Sequence, residues 1–349
     1  MKGRVVIVDE IGERQVAALV VDGQLAELSV DPVGDAVLPG AIYRAIADRP
    51  VKGQGGIFVK LPDGSGFLRQ ISGIAPGQRL LVQVSGPAEP GKAVPVTARL
   101  LFKSRFAIIT PDAPGLNISR RIREDDARAE LAEIATAGMV GAAETLGLIL
   151  RSACEGAEPE AIAEDIAAMR GLAEAVLQDT KGDAELLVDG AGAHDIAFRD
   201  WLDPAPDEAV MEPGGFAEHG VDEMVAALLQ PRLDLVGGGH MMIEPTRALV
   251  AVDVNTGPDT SPAASLKVNI AAARDLPRQL RLRGLGGQVV VDFAPMSKKD
   301  RAILDQVIKA AFKGDGEANL AGWTTLGLYE LTRKRDRLPL ADVAAGLFA

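Results

Sequence analysis

Two short apolar runs near the C-terminal end, residues 248–252 and 289–291, each finish in one aspartate, Asp253 and Asp292. A strand alternates faces with a period of two, so Leu249, Ala251, Asp253 and Asn255 share one side. Asp253 and Asn255 therefore point the same way, where strand gives way to loop. A carboxylate at the end of a buried strand is costly unless it finds a cation or donors. Two of them on neighbouring strands, joined by a helical crossover, make a ready site for a hard cation, Mg²⁺ or Mn²⁺. The plainer alternative is that each aspartate only caps the turn or helix that follows it. The pairing, with Asn255 on the same face and basic residues close behind, favours a site.

The basic residues are clustered. Arg120, Arg121 and Arg123 form one group, and Arg278, Arg281 and Arg283 a second. Lys298, Lys299 and Arg301 form a third, and Arg333, Lys334, Arg335 and Arg337 a fourth. Each group taken alone reads first as a solvated face. Three of the four flank the paired aspartates, so that part of the chain is the candidate basic face. The net charge of −12 slows the approach of a polyanion, but contact depends on local charge.

The elements that must position these residues can be read in order. Residues 1–31 alternate as strands, with Gly12-Glu13 and Asp22-Gly23 as hairpin turns, which gives a small antiparallel sheet. Residues 38–101 are dense in Gly and Pro, with Asp63-Gly64 as a turn, and their short strands suggest a small barrel. Phe58 and Phe67 within it are either exposed rings that stack bases or core residues of the barrel. Residues 102–180 change character to an α/β unit: a strand at 106–110, a helix near 125–136, a strand at 146–151 and a helix at 158–178. Residues 203–220 read as a surface loop and 221–229 as a helix. After Asn255, Leu266, Ile270, Ala273 and Leu280 fall at helical spacing, as a crossover packed on a sheet requires. Pro277 should kink or break that helix. A last helix spans 297–312, with Ile303, Leu304, Val307, Ile308 and Ala311 inward. His240 stands without a second ligand in sequence range and reads as incidental.

At 349 residues the chain exceeds one ordinary core, so two or more subdomains are expected. No apolar tract is long enough to span a membrane, and no secretion signal is expected from the opening residues. The single cysteine, Cys154, rules out an internal disulfide and any CxxC metal site. A reducing cytoplasm fits.

Three strings then carry a resemblance: ALVAVDVNTG at 248–257, RQLRLRGLGGQVVVDF at 278–293 and GLYELTRKR at 327–335. Together they resemble the catalytic core of the ribonuclease E/G family. The likeness continues more weakly in GLNISRRI (115–122) and GLILRSA (147–153). The resemblance implies an α/β fold of several subdomains: an RNase-H-like sheet in two parts (1–37 and 181–232), split by an S1/OB-type barrel (38–101) and a 5′-sensor-like unit (102–180). A DNase-I-like α/β catalytic subdomain (233–349) would follow.

By the same resemblance Asp253, Asn255 and Asp292 are catalytic, and Asp253 and Asp292 hold Mg²⁺, with Mn²⁺ as a substitute. Phe58 and Phe67 would contact single-stranded RNA, as would Arg120, Arg121, Lys298 and Lys299. Arg151-Ser152 would stand where the family reads a 5′-monophosphate, a guanidinium and a hydroxyl suiting phosphate. A further family arginine would fall near Asn319. Pro258 and Ala271 stand where relatives carry a base and an acid. No CPxCxG segment follows the core before Ala349, so no zinc and no zinc-linked oligomer are expected, as in a shortened form of the family.

The function the resemblance implies is an Mg²⁺-dependent endoribonuclease that cuts single-stranded RNA to 5′-phosphate and 3′-hydroxyl ends. Two rivals stand beside it: an RNA-binding or regulatory relative that cleaves little, and an Mg²⁺-dependent phosphodiesterase acting on DNA or small phosphoesters.

Overall fold

The structure is a computed structural model that describes residues 2–34, 36–51, 55–69, 73–89, 91–259 and 261–348. Parts of the expected barrel, at 52–54, 70–72 and 90, lie outside the described residues. The chain divides into two compact units, one made of Met1–Gly3, Ile7–Val33 and Val210–Ala349, the other of Arg4–Val6 and Gly34–Ala209.

The chain opens with a meander of strands β1 (Arg4–Ile11), β2 (Arg14–Val21) and β3 (Gln24–Val30). Both turns fall at the expected dipeptides. Gly12, Glu13, Asp22 and Gly23 all have positive φ, the conformation that two-residue hairpins need to match strand twist.

In the second unit, strands β4 (Ile42–Val51), β5 (Gly56–Leu61), β6 (Gly64–Arg69), β7 (Arg79–Val84) and β8 (Val94–Thr97) run in the order β4-β5-β6-β8-β7. Strand β7 pairs back onto β4, so the barrel closes. Closure leaves no free edge and encloses Ala45, Val59, Leu68, Val82 and Val96. The expected turn shifts by one residue, to 62–63, because β6 already begins at Gly64.

An α/β body follows. Strands β9 (Phe102–Lys103), β10 (Ala107–Pro111), β11 (Gly115–Ile118) and β12 (Leu146–Leu150) form a sheet in the order β11-β12-β10-β9. Helices α1 (Asp125–Gly138) and α2 (Pro159–Gln178) cover it, burying Leu131, Ala135, Ile162, Ile166 and Val176 against Ile109, Leu148 and Leu150. Strand β13 (Glu185–Val188) pairs with β4.

Helix α3 (Ala193–Ile196) and strand β14 (Glu208–Val210) lead back to the first unit. There Val210 and Gly215 meet Ile7: a Cβ at Gly215 would sit 2.9 Å from Val210 and 3.1 Å from Ile7. The buried Asp9 accepts hydrogen bonds from the backbone N–H groups of Gly214 and Phe216. Helices α4 (Gly215–Glu218) and α5 (Val221–Leu229) complete this return.

The last sheet carries the paired aspartates. Strands β15 (Arg232–Asp234), β16 (His240–Pro245), β17 (Val250–Asn255), β18 (Gly287–Asp292), β19 (Ala318–Trp323) and β20 (Tyr329–Arg333) lie in the order β15-β16-β17-β18-β20-β19. Only β17 and β18 are parallel, and helix α6 (Pro262–Leu282) makes the crossover they require. Helix α6 runs on through the buried Pro277, so the proline does not break it. Packing of Val268, Ala272, Leu276 and Leu280 on both sides of the proline outweighs one lost backbone hydrogen bond. Helix α7 (Lys298–Ala311) buries Leu304 and Ile308, while Ile303, expected inward, is 42% exposed. A short helix, α8 (Leu340–Val343), lies near the C-terminal end.

Candidate active site

Parity along the strands decides what the last sheet shows to each side. Val250, Val252 and Val254 of β17 and Val289 and Val291 of β18 enter the core with α6 and α7. Their alternating neighbours Ala251, Asp253, Asn255, Gln288, Val290 and Asp292 therefore share the opposite face. The parallel ladder pairs Asp253 directly with Asp292, on strands about 4.8 Å apart. Asn255 donates from Nδ2 to Oδ2 of Asp253 at 2.7 Å. That bond fixes one oxygen of Asp253 and leaves the other, with both oxygens of Asp292, free for a ligand.

Both aspartates are exposed. This corrects the expectation of costly buried carboxylates: in water their cost to stability is small, and burial supplies no argument of its own for a bound ion. The donor set still fits Mg²⁺. Two opposed carboxylates offer only hard oxygen ligands, and an open face lets water complete an octahedron, the usual arrangement for an ion that dehydrates reluctantly. Among the described residues no group of three or more His, Cys, Asp or Glu side chains is gathered to hold a metal.

The loop after Asp292 is held from within. Asn269 of α6, fully buried, donates to the Ala294 carbonyl at 2.9 Å and accepts from the Ala294 N–H at 3.0 Å. Its amide substitutes for a strand neighbour at the point where β18 ends. Sequence reading missed Asn269, because a polar residue at a core position of an amphipathic helix is the only signal it leaves.

Beyond this loop Ser297 caps α7 through its hydroxyl, which accepts from the Asp300 N–H at 3.2 Å. Lys298 and Lys299 occupy the first turn and are exposed. Cations there oppose the helix dipole, so the helix itself gains nothing from them.

Most of the arginines in two of the four basic clusters are engaged structurally. Arg278 bonds to Asp275 and the Leu25 carbonyl, and Arg281 and Arg337 both pair with Glu27. Arg283 reaches Gln279 and the Gln230 carbonyl. Arg333 is buried between Asp315 and Asp336. Of the residues expected to form a broad basic face, Lys298, Lys299, Lys334 and Arg335 remain exposed, Lys334 beside Glu317, and Arg301 lies over the Trp323 ring at 4.8 Å.

In the other unit Phe58 and Phe67 are register partners on β5 and β6. Ile57, Val59 and Leu68 fill the barrel, so the two phenylalanines face outward, half-buried, with centroids 5.2 Å apart. The Arg49 guanidinium lies over Phe58 at 5.3 Å. Arg120 and Arg121 are exposed just after β11.

Arg151 and Ser152, at the end of β12, are already engaged. Nη1 of Arg151 donates to the carbonyls of Ser104, Arg105 and Arg199, and Nη2 to Asp200 at 2.6 Å. The Ser152 hydroxyl donates to Asp203 at 2.6 Å. Burial works to raise the Asp200 carboxyl, but hydrogen bonds from Arg199 and Lys103 outweigh it and hold it at about 2. Burial pushes the Cys154 thiol up to about 11, which makes it a poor nucleophile.

The sequence matches the Ribonuclease E/G family over residues 102–215 and 211–336. The chain belongs to that family. Ribonuclease E of Nostoc is 30% identical over 93% of this chain and 55% of its own length. Ribonuclease G of Haemophilus influenzae is 26% identical over 93% and 78%, and Ribonuclease G of Escherichia coli K12 is 26% identical over 92% and 78%. The chain spans about half the length of the cyanobacterial relatives and most of the Ribonuclease G relatives. No helix among the described residues is long and apolar enough to cross a membrane.

Proposed function

We propose that this chain is an Mg²⁺-dependent endoribonuclease acting on single-stranded RNA. The observation that carries the reading is the direct pairing of Asp253 with Asp292 on an open sheet face, with Asn255 bonded to Asp253. Membership in a family whose relatives are named Ribonuclease E and Ribonuclease G supports it.

Asp253 and Asp292 would hold one Mg²⁺, with Mn²⁺ as a substitute. When bound, the ion supplies Lewis-acid polarisation of a phosphoryl oxygen and a nucleophilic water at neutral pH. Asn255 keeps the Asp253 carboxylate in one orientation, and Asn269 keeps the loop after Asp292 in place. Lys298 and Lys299 hold the RNA backbone, and phosphate contacts of this kind position a substrate without reading its sequence. In-line hydrolysis leaves 5′-phosphate and 3′-hydroxyl ends.

We read the closed barrel as the S1/OB-type part of the family arrangement, with Phe58 and Phe67 as its base-stacking surface. The surrounding pieces take the RNase-H-like, 5′-sensor-like and DNase-I-like places. Arg120 and Arg121 supply backbone contacts on the 5′-sensor-like body. The Arg151-Ser152 pair departs from a phosphate receptor: Asp200 and Asp203 occupy its donors, so the chain accepts RNA without regard to its 5′ end.

The test is cleavage of an A/U-rich single-stranded RNA and of DNA of the same sequence, each with Mg²⁺ and with EDTA. Metal-dependent cutting of RNA alone is expected. Equal cutting of DNA would favour a general phosphodiesterase, and RNA binding without cutting in Mg²⁺ or Mn²⁺ would favour a binding protein.

A further inference from the structure

His240, which looked incidental in the sequence, is placed by the fold beside the paired aspartates. Along β16, Met241 and Ile243 enter the core, so His240, Met242 and Glu244 share the face of Asp253 and Asn255. The antiparallel ladder sets His240 opposite Asn255 and Met242 opposite Asp253. Directly opposed residues have their Cβ atoms about 5 Å apart, so the imidazole adjoins the amide that orients Asp253.

The backbone is shaped to allow this. A Cβ at Gly239 would lie 2.5 Å from the Asn255 carbonyl oxygen and 2.3 Å from the Val268 side chain, so only glycine lets β16 enter beside Asn255. The imidazole itself is half-exposed, with neither nitrogen engaged by another described residue.

Charged side chains flank the aspartates on both sides. Strand β20 presents exposed Glu330 on this face, opposite Val290. On the other side, past His240, exposed Arg232 of β15 stands opposite Met242. Its partner Asp234 is also exposed, and such surface pairs are weak enough to open for a phosphate. Asp234 stands directly opposite His240 and the exposed Glu244 shares this face, so carboxylates lie on both sides, and the donors nearest the aspartates on the β16–β15 side are His240 and Arg232.

We infer that His240 donates a hydrogen bond to the RNA phosphate next to the scissile one. The inference rests on the endoribonuclease reading. It makes His240 a substrate-positioning residue that holds no metal and takes no proton from the reacting atoms. Either neutral or protonated, the ring offers an N–H to phosphate.

The experiment uses the full chain, with His240→Ala and His240→Gln beside the wild type. The substrate is a single-stranded RNA with one defined cleavage linkage, made with ordinary phosphates or with one neutral methylphosphonate on either flank. Single-turnover cleavage should fall about tenfold in H240A on the all-phosphate RNA, the size of one hydrogen bond to a charged group. H240Q, which keeps a donor, should retain most of the rate. On the RNA whose neutral linkage is the one His240 contacts, wild type and H240A should cut at the same reduced rate. No loss in H240A, or the same fold loss on all three RNAs, would overturn the inference. If the wild type cuts no RNA, the endoribonuclease reading itself has failed. Equilibrium binding of the all-phosphate RNA in EDTA then decides His240 separately: about tenfold weaker binding by H240A supports the contact, and equal binding overturns it.

Discussion

Asn255 holds Asp253 through a 2.7 Å hydrogen bond while Asp253 faces Asp292 across a parallel ladder. Three side chains from two strands are thereby set on one face, and each is positioned by regular backbone pairing. Strand pairing places side chains more reproducibly than a loop does, so small changes at this site should alter chemistry more than folding.

Asn269 tests the support beneath the site. Replacing it with Ala removes both bonds to Ala294 and leaves a buried N–H and C=O unpaired, at a cost of about 1–3 kcal/mol. Thermal unfolding should shift down accordingly. The fraction that stays folded should cleave more slowly at saturating RNA with little change in KM, since Asp292 is displaced while the RNA contacts remain. A KM effect without a rate effect would place Asn269 elsewhere in the account.

Arg333 should behave as a structural residue despite sitting in the most basic run of the chain. Its side chain is 2% exposed and lies between Asp315 and Asp336. Arg333→Ala strands Asp315, itself 5% exposed, and should cost about 3–5 kcal/mol in denaturant unfolding. RNA affinity of the folded fraction should not change.

These two residues show what could and could not be read from the chain. Hairpin turns at 12–13 and 22–23, the helix at 221–229 and the Asp-x-Asn strand were legible because turn residues and periodicity are local signals. The fate of Arg281, Arg333 and Arg337 was not, because their partners Glu27 and Asp315 lie elsewhere in the sequence, brought close only by the fold. Phe58 and Phe67 stayed ambiguous for a related reason: alternation groups residues by face but does not say which face is inside until the barrel closes. His240 needed the register of β16 on β17, which a lone histidine in a sequence cannot supply.

The occupied Arg151-Ser152 pair predicts indifference to the RNA 5′ end. Matched substrates with a 5′-monophosphate and a 5′-hydroxyl should be cut at rates within about threefold, less than 1 kcal/mol of discrimination. A preference of tenfold or more for the monophosphate would mean that Asp200 and Asp203 give way to RNA.

The same cluster sets a pH dependence. The folded protein holds the Asp200 carboxyl at about 2, below the value of about 3.9 for an unfolded aspartate. Its contribution to stability is therefore whole above about pH 4 and is lost as pH falls through about 2. Asp200→Asn should be less stable than wild type at neutral pH, and the gap should close between those limits in acid unfolding. A gap that stays constant with pH would show that Asp200 is not held ionised by Arg199 and Lys103.

The most direct test of the central claim is single-turnover cleavage of single-stranded RNA in Mg²⁺ by wild type and Asp292→Asn. Asp292 is exposed, so the variant should keep its melting temperature and RNA affinity, a surface change altering stability by only about 0.5 kcal/mol. Its rate should fall by about a thousandfold or more, close to 4 kcal/mol of lost transition-state stabilisation. A variant that cuts at the wild-type rate would contradict the assignment of Asp253 and Asp292 as the centre of the site.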